Sequence, residues 1–515
     1  MPVLAESPPM VPPRTRSLVS TSGAEQAIKA FFGGNALVAL LVLALITVFL
    51  FREGFGFFGQ NLNNLRLYRS AGLEYVDFIR VEAEKHSELT RALNDLRLRQ
   101  FQKMQIEGVA PEQANASLAT FDEFATAFSD TSEPLNGLVS DLSEQASALK
   151  EQLFAQAEAG ATAGAPPVER DAALAVLRAG TQQYDQAVSG VSTGVDQLLS
   201  TAPPLPEAKL QQTFDKWKQR ARDYVAQLPA AGEKLRAWSP DTPVPWYRAI
   251  SAFLFGHDWI TASFWQDWYG IRPLLVGSIM VSLVALFFAV PLGVASAVYV
   301  SEIASRHEKR IIKPYIEFIS AIPSVVLGFF GIAVVGTAVR AISELPMFSW
   351  VSFFPISERL NVFTAGLLLA LMAVPTIFTL AEDALRNVPR GFKEASYALG
   401  ANRLQTIARV LVPASLSGIV SAILLGLGRV IGETMVVLLC AGNRIDIPDF
   451  TQGLGAFFQP VHTMTGIIAQ EMGEVVRGSI HYRALFMVGL VLFTITLLIN
   501  YFAQKLVARY RMSIG

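Results

Sequence analysis

The 515-residue sequence predicts an all-α protein that crosses a membrane several times, and three observations carry that reading. Hydrophobic residues make up 52% of the chain and charged residues only 17%, with a mean hydropathy of +0.38, which is too apolar and charge-poor for an average soluble enzyme. Six apolar segments approach the roughly 20 residues a helix needs to cross the hydrocarbon core. Lysine and arginine gather in short segments that all fall on one side if those six cross.

Residues 1–33 include the Pro-rich "ESPPMVPPRTR" and read as a disordered tail. The first apolar segment, 35–51, lies in a span placed at 34–52 and is bounded by Arg52 and Glu53. No A-x-A-like site follows it, so a retained anchor is expected rather than a cleaved signal. The remaining candidates are 273–300, 314–341, 361–381, 411–441 and 484–504. Basic clusters at Arg14, Arg16 and Lys29, at Arg306 to Lys313, at Arg386 to Arg409 and at Lys505 to Arg511 assign both termini to the cytoplasm. Residues 53–270 are then outside, as a periplasmic insertion.

That insertion differs from the rest of the chain. It holds 28 acidic and 19 basic side chains, a net of −9, whereas the remainder holds 15 and 23, a net of +8. Leu89, Leu93 and Leu96 keep helical spacing, and breaks are expected at "AGATAGAPP" (159–167) and "TAPPLPE" (201–207). A bundle of long helices follows, acting either as a docking or sensing module or as a self-packed spacer. His86 and His257 stand alone, without metal-ligand or catalytic spacing. Cys440 is the only cysteine, which excludes an intrachain disulfide.

Residues 271–515 supply five further spans, with a polar segment at 385–407 between the fourth and fifth spans of the chain. In "RGFKEASYALGANRLQTIARVLVP", Ala395, Ala398 and Leu399 fall near one helix face, while Lys393 and Arg403 are expected in solvent. Gly400 permits a sharp turn or a close approach, and Pro413 suits a helix start. Such a short helix fits insertion into a partner's groove. An ordinary interfacial amphipathic loop is the alternative.

Arg429 and Glu433 interrupt the next apolar run. Four residues apart, they are expected on one helix face as an ion pair, since an unpaired Arg in the membrane costs several kcal/mol. Gly428 and Gly432 allow a neighbouring backbone close by, leaving room for a narrow polar path. A purely structural pair that fixes helix register is the other reading. Pro323 and Pro375 fall within expected spans and free backbone groups there, and Ser324 could line the same path. Arg340 and Glu344 read as snorkelling surface charges.

The residues Glu394, Ala395, Gly400, Val410, Val412 and Pro413 resemble the pattern E-A-A, three residues, G, nine residues, I-x-L-P of bacterial ABC importer permeases. Ser396, Val410 and Val412 depart from it conservatively. Three stretches are similar to the PstC-type permease of phosphate importers: "SAIPSVVLGFFG" (320–331), "AVPTIFTLAEDALRNVPRGFKEASYALGA" (373–401) and "GLGRVIGETMVV" (426–437). The resemblance covers the chain from about residue 270 onward. The 53–270 insertion is longer than the matching loop of better-known members, so no role carries over to it.

The resemblance implies an ABC importer permease fold with six transmembrane helices. Its coupling helix, through Glu394, Ala395, Gly400 and Ala401, would dock on a separate ATPase; the chain has no G-x-x-x-x-G-K-[ST] phosphate loop of its own. Arg429, Glu433 and Thr434 would belong to the substrate pathway. Two ATPases, a second similar permease and a periplasmic phosphate-binding protein are the implied partners in the bacterial inner membrane, with no nucleic acid. No cofactor and no covalent chemistry are implied. A permease for molybdate or sulfate and a membrane receptor sensing through the insertion are the competing readings.

Overall fold

The computed structural model describes residues 22–159, 170–261, 263, 266–348, 350–351 and 353–510. The first helix, α1 (Ser22–Ser70), runs 49 residues without a break. Ala24, Glu25, Gln26, Ala27, Lys29 and Ala30 are strong helix formers with no proline among them, which is why helix occupies part of the expected disordered tail. Residues 1–21 of that tail lie outside the described residues. At the other end α1 outruns its apolar segment and carries the chain directly into the insertion.

The insertion is a helical bundle: α2 (Leu73–Ile106), α3 (Pro111–Asp130), α4 (Glu133–Ala159), α5 (Arg170–Ser200) and α6 (Ala208–Ala237). Leu93, Leu118, Phe128, Val195, Phe214 and Leu228 close one core, into which Trp217 donates a hydrogen bond to the Leu89 carbonyl at 2.9 Å. The expected break at 201–207 separates α5 from α6, whereas 160–167 of the other lies outside the described residues. Three cationic side chains tie the bundle to loops of the membrane part: Lys209 donates to the Trp350 carbonyl, Arg99 to Gln452, and Arg220 lies 3.6 Å from Asp449. The bundle is therefore self-packed and also fastened.

A short helix, α7 (Tyr247–Phe255), and a hairpin of β1 (Trp259–Ile260) and β2 (Trp268–Tyr269) lead from the bundle to the apolar helices. There follow α8 (Arg272–Val298), α9 (Arg306–Ala321), α10 (Ser324–Phe330), α11 (Gly336–Ser343) and α12 (Val362–Arg386). After them come α13 (Arg390–Ala398), α14 (Arg403–Thr406), α15 (Val412–Ala414), α16 (Leu416–Ile431), α17 (Met435–Cys440), α18 (Met464–Glu471) and α19 (Ile480–Tyr510). Ala285, Ala289, Leu369, Ala373, Ile377 and Val437 pack α8, α12 and α17 together in the centre.

Among the described residues, five helical segments are long and apolar enough to cross a membrane. A sixth crossing arises if Arg403–Ala414 and Leu416–Ile431, bent by 68° against each other, count as one. Two expected spans change shape. The one placed at 314–341 is interrupted at Pro323, which cannot donate a helical hydrogen bond and holds Ile322 extended (φ −70°, ψ 124°), so the apolar crossing is Ser324–Ser343 and Pro323 precedes it. The one placed at 411–441 bends at Ser415 and ends at Ile431. Pro375, by contrast, sits inside α12 as expected.

Candidate functional site

At the end of α12 the chain turns through Pro389 into α13, whose nine residues carry Glu394 and Ala395 on an exposed surface. Gly400 ends it with φ +82°, a left-handed conformation that glycine adopts without steric cost. Its N–H donates to the Tyr397 carbonyl and that of Ala401 to the Ser396 carbonyl, satisfying the last helical carbonyls. Asn402 then caps α14 in a reciprocal pair with Gln405. Ser396, one of the departures from the family pattern, is buried and bonds Thr406 at 2.9 Å, which locks the turn from inside.

Arg403 is exposed and Lys393 half-buried, so both keep the solvent contact expected of them, and each also finds a protein partner. Lys393 pairs with Glu302, and Arg403 donates to the Glu302 carbonyl at the end of the helix through Tyr299–Ile303, so both fasten the loop to its neighbour. Beside the exposed Glu394, the outward face also presents two large apolar side chains. Leu399 is 89% and Leu404 68% exposed.

The Arg429 to Glu433 segment also differs from expectation. Gly432 ends α16, and Glu433 lies in the non-helical break before α17, so spacing by four no longer puts both side chains on one helix face. No ion pair joins Arg429 to Glu433 among the described residues. Instead the Arg429 guanidinium donates to the Thr376 hydroxyl of α12 at 3.1 Å, and the Glu433 backbone carbonyl accepts from Thr465 at 2.8 Å. Arg429 and Glu433 still line one narrow cleft between α12 and α16, with Leu369, Met372, Ala373 and Val430. Thr434 is the residue before α17 and half-buried. Ser324 opens α10, and no hydrogen bond links it to Arg429, Glu433 or Thr434. Arg340 and Glu344 pair with each other at 3.3 Å, both well exposed.

These features of α12 to α17 lie within residues 289–512, which match the family described as the binding-protein-dependent transport system inner membrane component. The probable ABC transporter permease protein YqgH of Bacillus subtilis is 35% identical over 242 residues, covering 46% of this chain and 72% of that protein. The chain belongs to this permease family. The phosphate transport system permease protein PstC of Pasteurella multocida is 31% identical over 273 residues, 51% of this chain and 82% of its own length, so the relatedness is of the PstC type. A solved structure of the MetNI methionine ABC transporter in an inward-facing conformation aligns with 47% of this chain and 94% of its own at 21% identity, with a TM-score of 0.34.

As such a permease, the chain is a multi-pass inner-membrane protein and the non-catalytic membrane subunit of a binding-protein-dependent ABC importer. An ABC ATPase and a substrate-binding protein are its partners. The family match starts at residue 289, beyond the helical bundle. Sequence reasoning missed two residues, Thr376 as the partner of Arg429 and Glu302 as the anchor of the polar segment that follows α12. A lone threonine in an apolar helix carries no signal in the sequence. Glu302 did carry one, as an acidic residue at the end of an apolar run.

Proposed function

We propose that this permease moves inorganic phosphate from the periplasm to the cytoplasm, through a path beside Arg429. The observation that supports this reading is the state of the Arg429 side chain, which among the described residues bonds a neutral hydroxyl rather than a carboxylate. Its charge is thus available to an anion, and a planar guanidinium offers paired, parallel hydrogen bonds to phosphate oxygens. Glu433, close by in the same cleft, opposes firm retention of the anion, and a pathway has to release as well as bind. Thr434 and Ser324 are assigned to the same path. Kinship with phosphate permeases of the PstC type supports the choice of anion.

In this reading residues 53–270 stand in the periplasm and both termini in the cytoplasm, where Glu394, Ala395, Gly400 and Ala401 form the surface that meets the ATPase. The exposed Leu399 and Leu404 supply the apolar part of that contact. The assembly has two ATPases, a periplasmic phosphate-binding protein and a second similar permease. The test is uptake of radiolabelled phosphate by the reconstituted complex, with unlabelled sulfate and molybdate as competitors. Selective competition by phosphate supports the assignment; equal or stronger competition by either other anion overturns it.

A further inference from the structure

A cavity of about 310 Å³ opens where α1, α7 and β2 meet, between the apolar part of α1 and the helical bundle. Its depth relative to the bilayer follows from its neighbours. Along α1 the exposed apolar run continues to Phe55, while Glu53 lies 3.8 Å from Arg483 and Gln60 donates to the Gly478 carbonyl just before α19. Charges and exposed polar groups begin at that level, which marks the water boundary on the side of the insertion. Helix α7 runs back along α1 toward the boundary: Asn61 of α1 donates to the Ala249 carbonyl, and the Phe253 ring packs on Phe57 at 5.2 Å. Phe255 therefore sits at the edge of the hydrocarbon. Arg248 stands about 10 Å further out, at 1.5 Å per helical residue.

The lining changes character over that distance. Leu65, Val244, Ala252 and Phe255 make it apolar, and Arg69 and Glu74 satisfy each other at 2.6 and 2.7 Å, so they form a wall and leave no free charge. One cation remains. The Arg248 side chain is exposed at the cavity and takes part in no ion pair among the described residues, so it is open to an anionic ligand. The rim carries Trp246 and Tyr247, exposed aromatics of the kind that collect at membrane interfaces.

An anionic group beside Arg248, continuous with an apolar exit past Phe255 and rimmed by interfacial aromatics, is the chemistry of one molecule class. We propose that this cavity binds a glycerophospholipid from the leaflet on the insertion side. Its phosphodiester meets Arg248, and an acyl chain descends past Phe255. The bound lipid seals the joint at which α1 leaves the membrane and becomes part of the bundle's support.

The test is native mass spectrometry of the assembled transporter, washed free of loosely held lipid and then titrated with phosphatidylglycerol or with inorganic phosphate. The expected result is one tightly retained phospholipid per permease chain in the wild type. Its occupancy should fall at least fivefold in Arg248→Ala, a surface change that leaves folding intact, and in Ala252→Trp, which fills the cavity. Equal lipid occupancy in wild type and Arg248→Ala overturns the proposal, even if Ala252→Trp fails to assemble. Displacement of the lipid by millimolar inorganic phosphate alone also overturns it, since the site would then be one for the free anion.

Discussion

Replacing Arg429 with lysine keeps a positive charge in the cleft between α12 and α16 but removes the planar fork. The guanidinium can keep its 3.1 Å bond to the Thr376 hydroxyl while offering other N–H groups to an oxyanion, whereas an ammonium is a compact point charge on a flexible stem. A hydrogen bond to a charged group is worth about 1.5–3 kcal/mol, so losing one of two parallel bonds at the transport barrier slows uptake by roughly 10- to 150-fold. Thr376→Val preserves the shape of the partner and removes its oxygen. Arg429 then loses its anchor but not its charge, and a smaller fall of about 2- to 13-fold is expected, from about 0.5–1.5 kcal/mol. The assay is phosphate uptake into proteoliposomes, normalised to assembled complex, with ATP hydrolysis followed in parallel. Near-normal uptake by Arg429→Lys would refute the pathway role. Loss of assembly in both variants would instead assign Arg429 to helix packing.

Three further outcomes are expected. At Gly400 an added Cβ meets nothing within 4 Å in this chain, so Gly400→Asn, which tolerates a left-handed backbone, should insert and fold normally, while Gly400→Leu should lose ATPase co-purification and uptake. Full ATPase binding by Gly400→Leu would remove the docking role of this turn. Excision of residues 60–240 with a short linker removes the closed bundle core together with the Arg99, Lys209 and Arg220 contacts, so the truncated permease should insert and retain reduced uptake; a well-inserted deletion with no uptake would make the bundle essential to transport. His86 is fully buried, and burial lowers its pKa below the ordinary histidine value of about 6.5. The contribution of neutral His86 to stability is thus fully present above about pH 6.5 and is lost as pH falls toward the folded pKa, because the unfolded chain takes up the proton first. Melting of the full chain followed by tryptophan emission should shift downward between pH 7.5 and 5.5, and His86→Leu should flatten that shift; an unchanged pH dependence in the variant would clear His86 of the effect.

Much of this architecture was written in the sequence because membrane spans need long apolar runs and bundle helices need a repeated apolar stripe. The spans built around 273–300 and 361–381 and the turn at Gly400 each rest on such local rules. The breaks were legible only in part. Gly432 was visible as a small residue suited to close packing, yet its effect was to end α16 and separate Glu433 from the face of Arg429. The bonds of Lys393 and Arg403 to Glu302 gave no sign in the sequence, because Glu302 lies some 90 residues earlier or more and is brought close only by the packing of the spans. Thr376 was hidden for the same reason. Its role depends on which helix faces α12, and helical periodicity does not report neighbours.

The uninterrupted course of α1 has a mechanical consequence. At 1.5 Å per residue its 49 residues form a rod of about 73 Å, part of it immersed in lipid and part carrying the bundle. With no hinge along its length, a tilt of about 5° at the immersed end swings the far end by roughly 6 Å. Arg99, Lys209 and Arg220 fasten the load on that mast to loops of the transport core. Bilayer thickness, which sets the lean of a long apolar rod, is thereby connected to the mouth of the permease as a stay is connected to a mast.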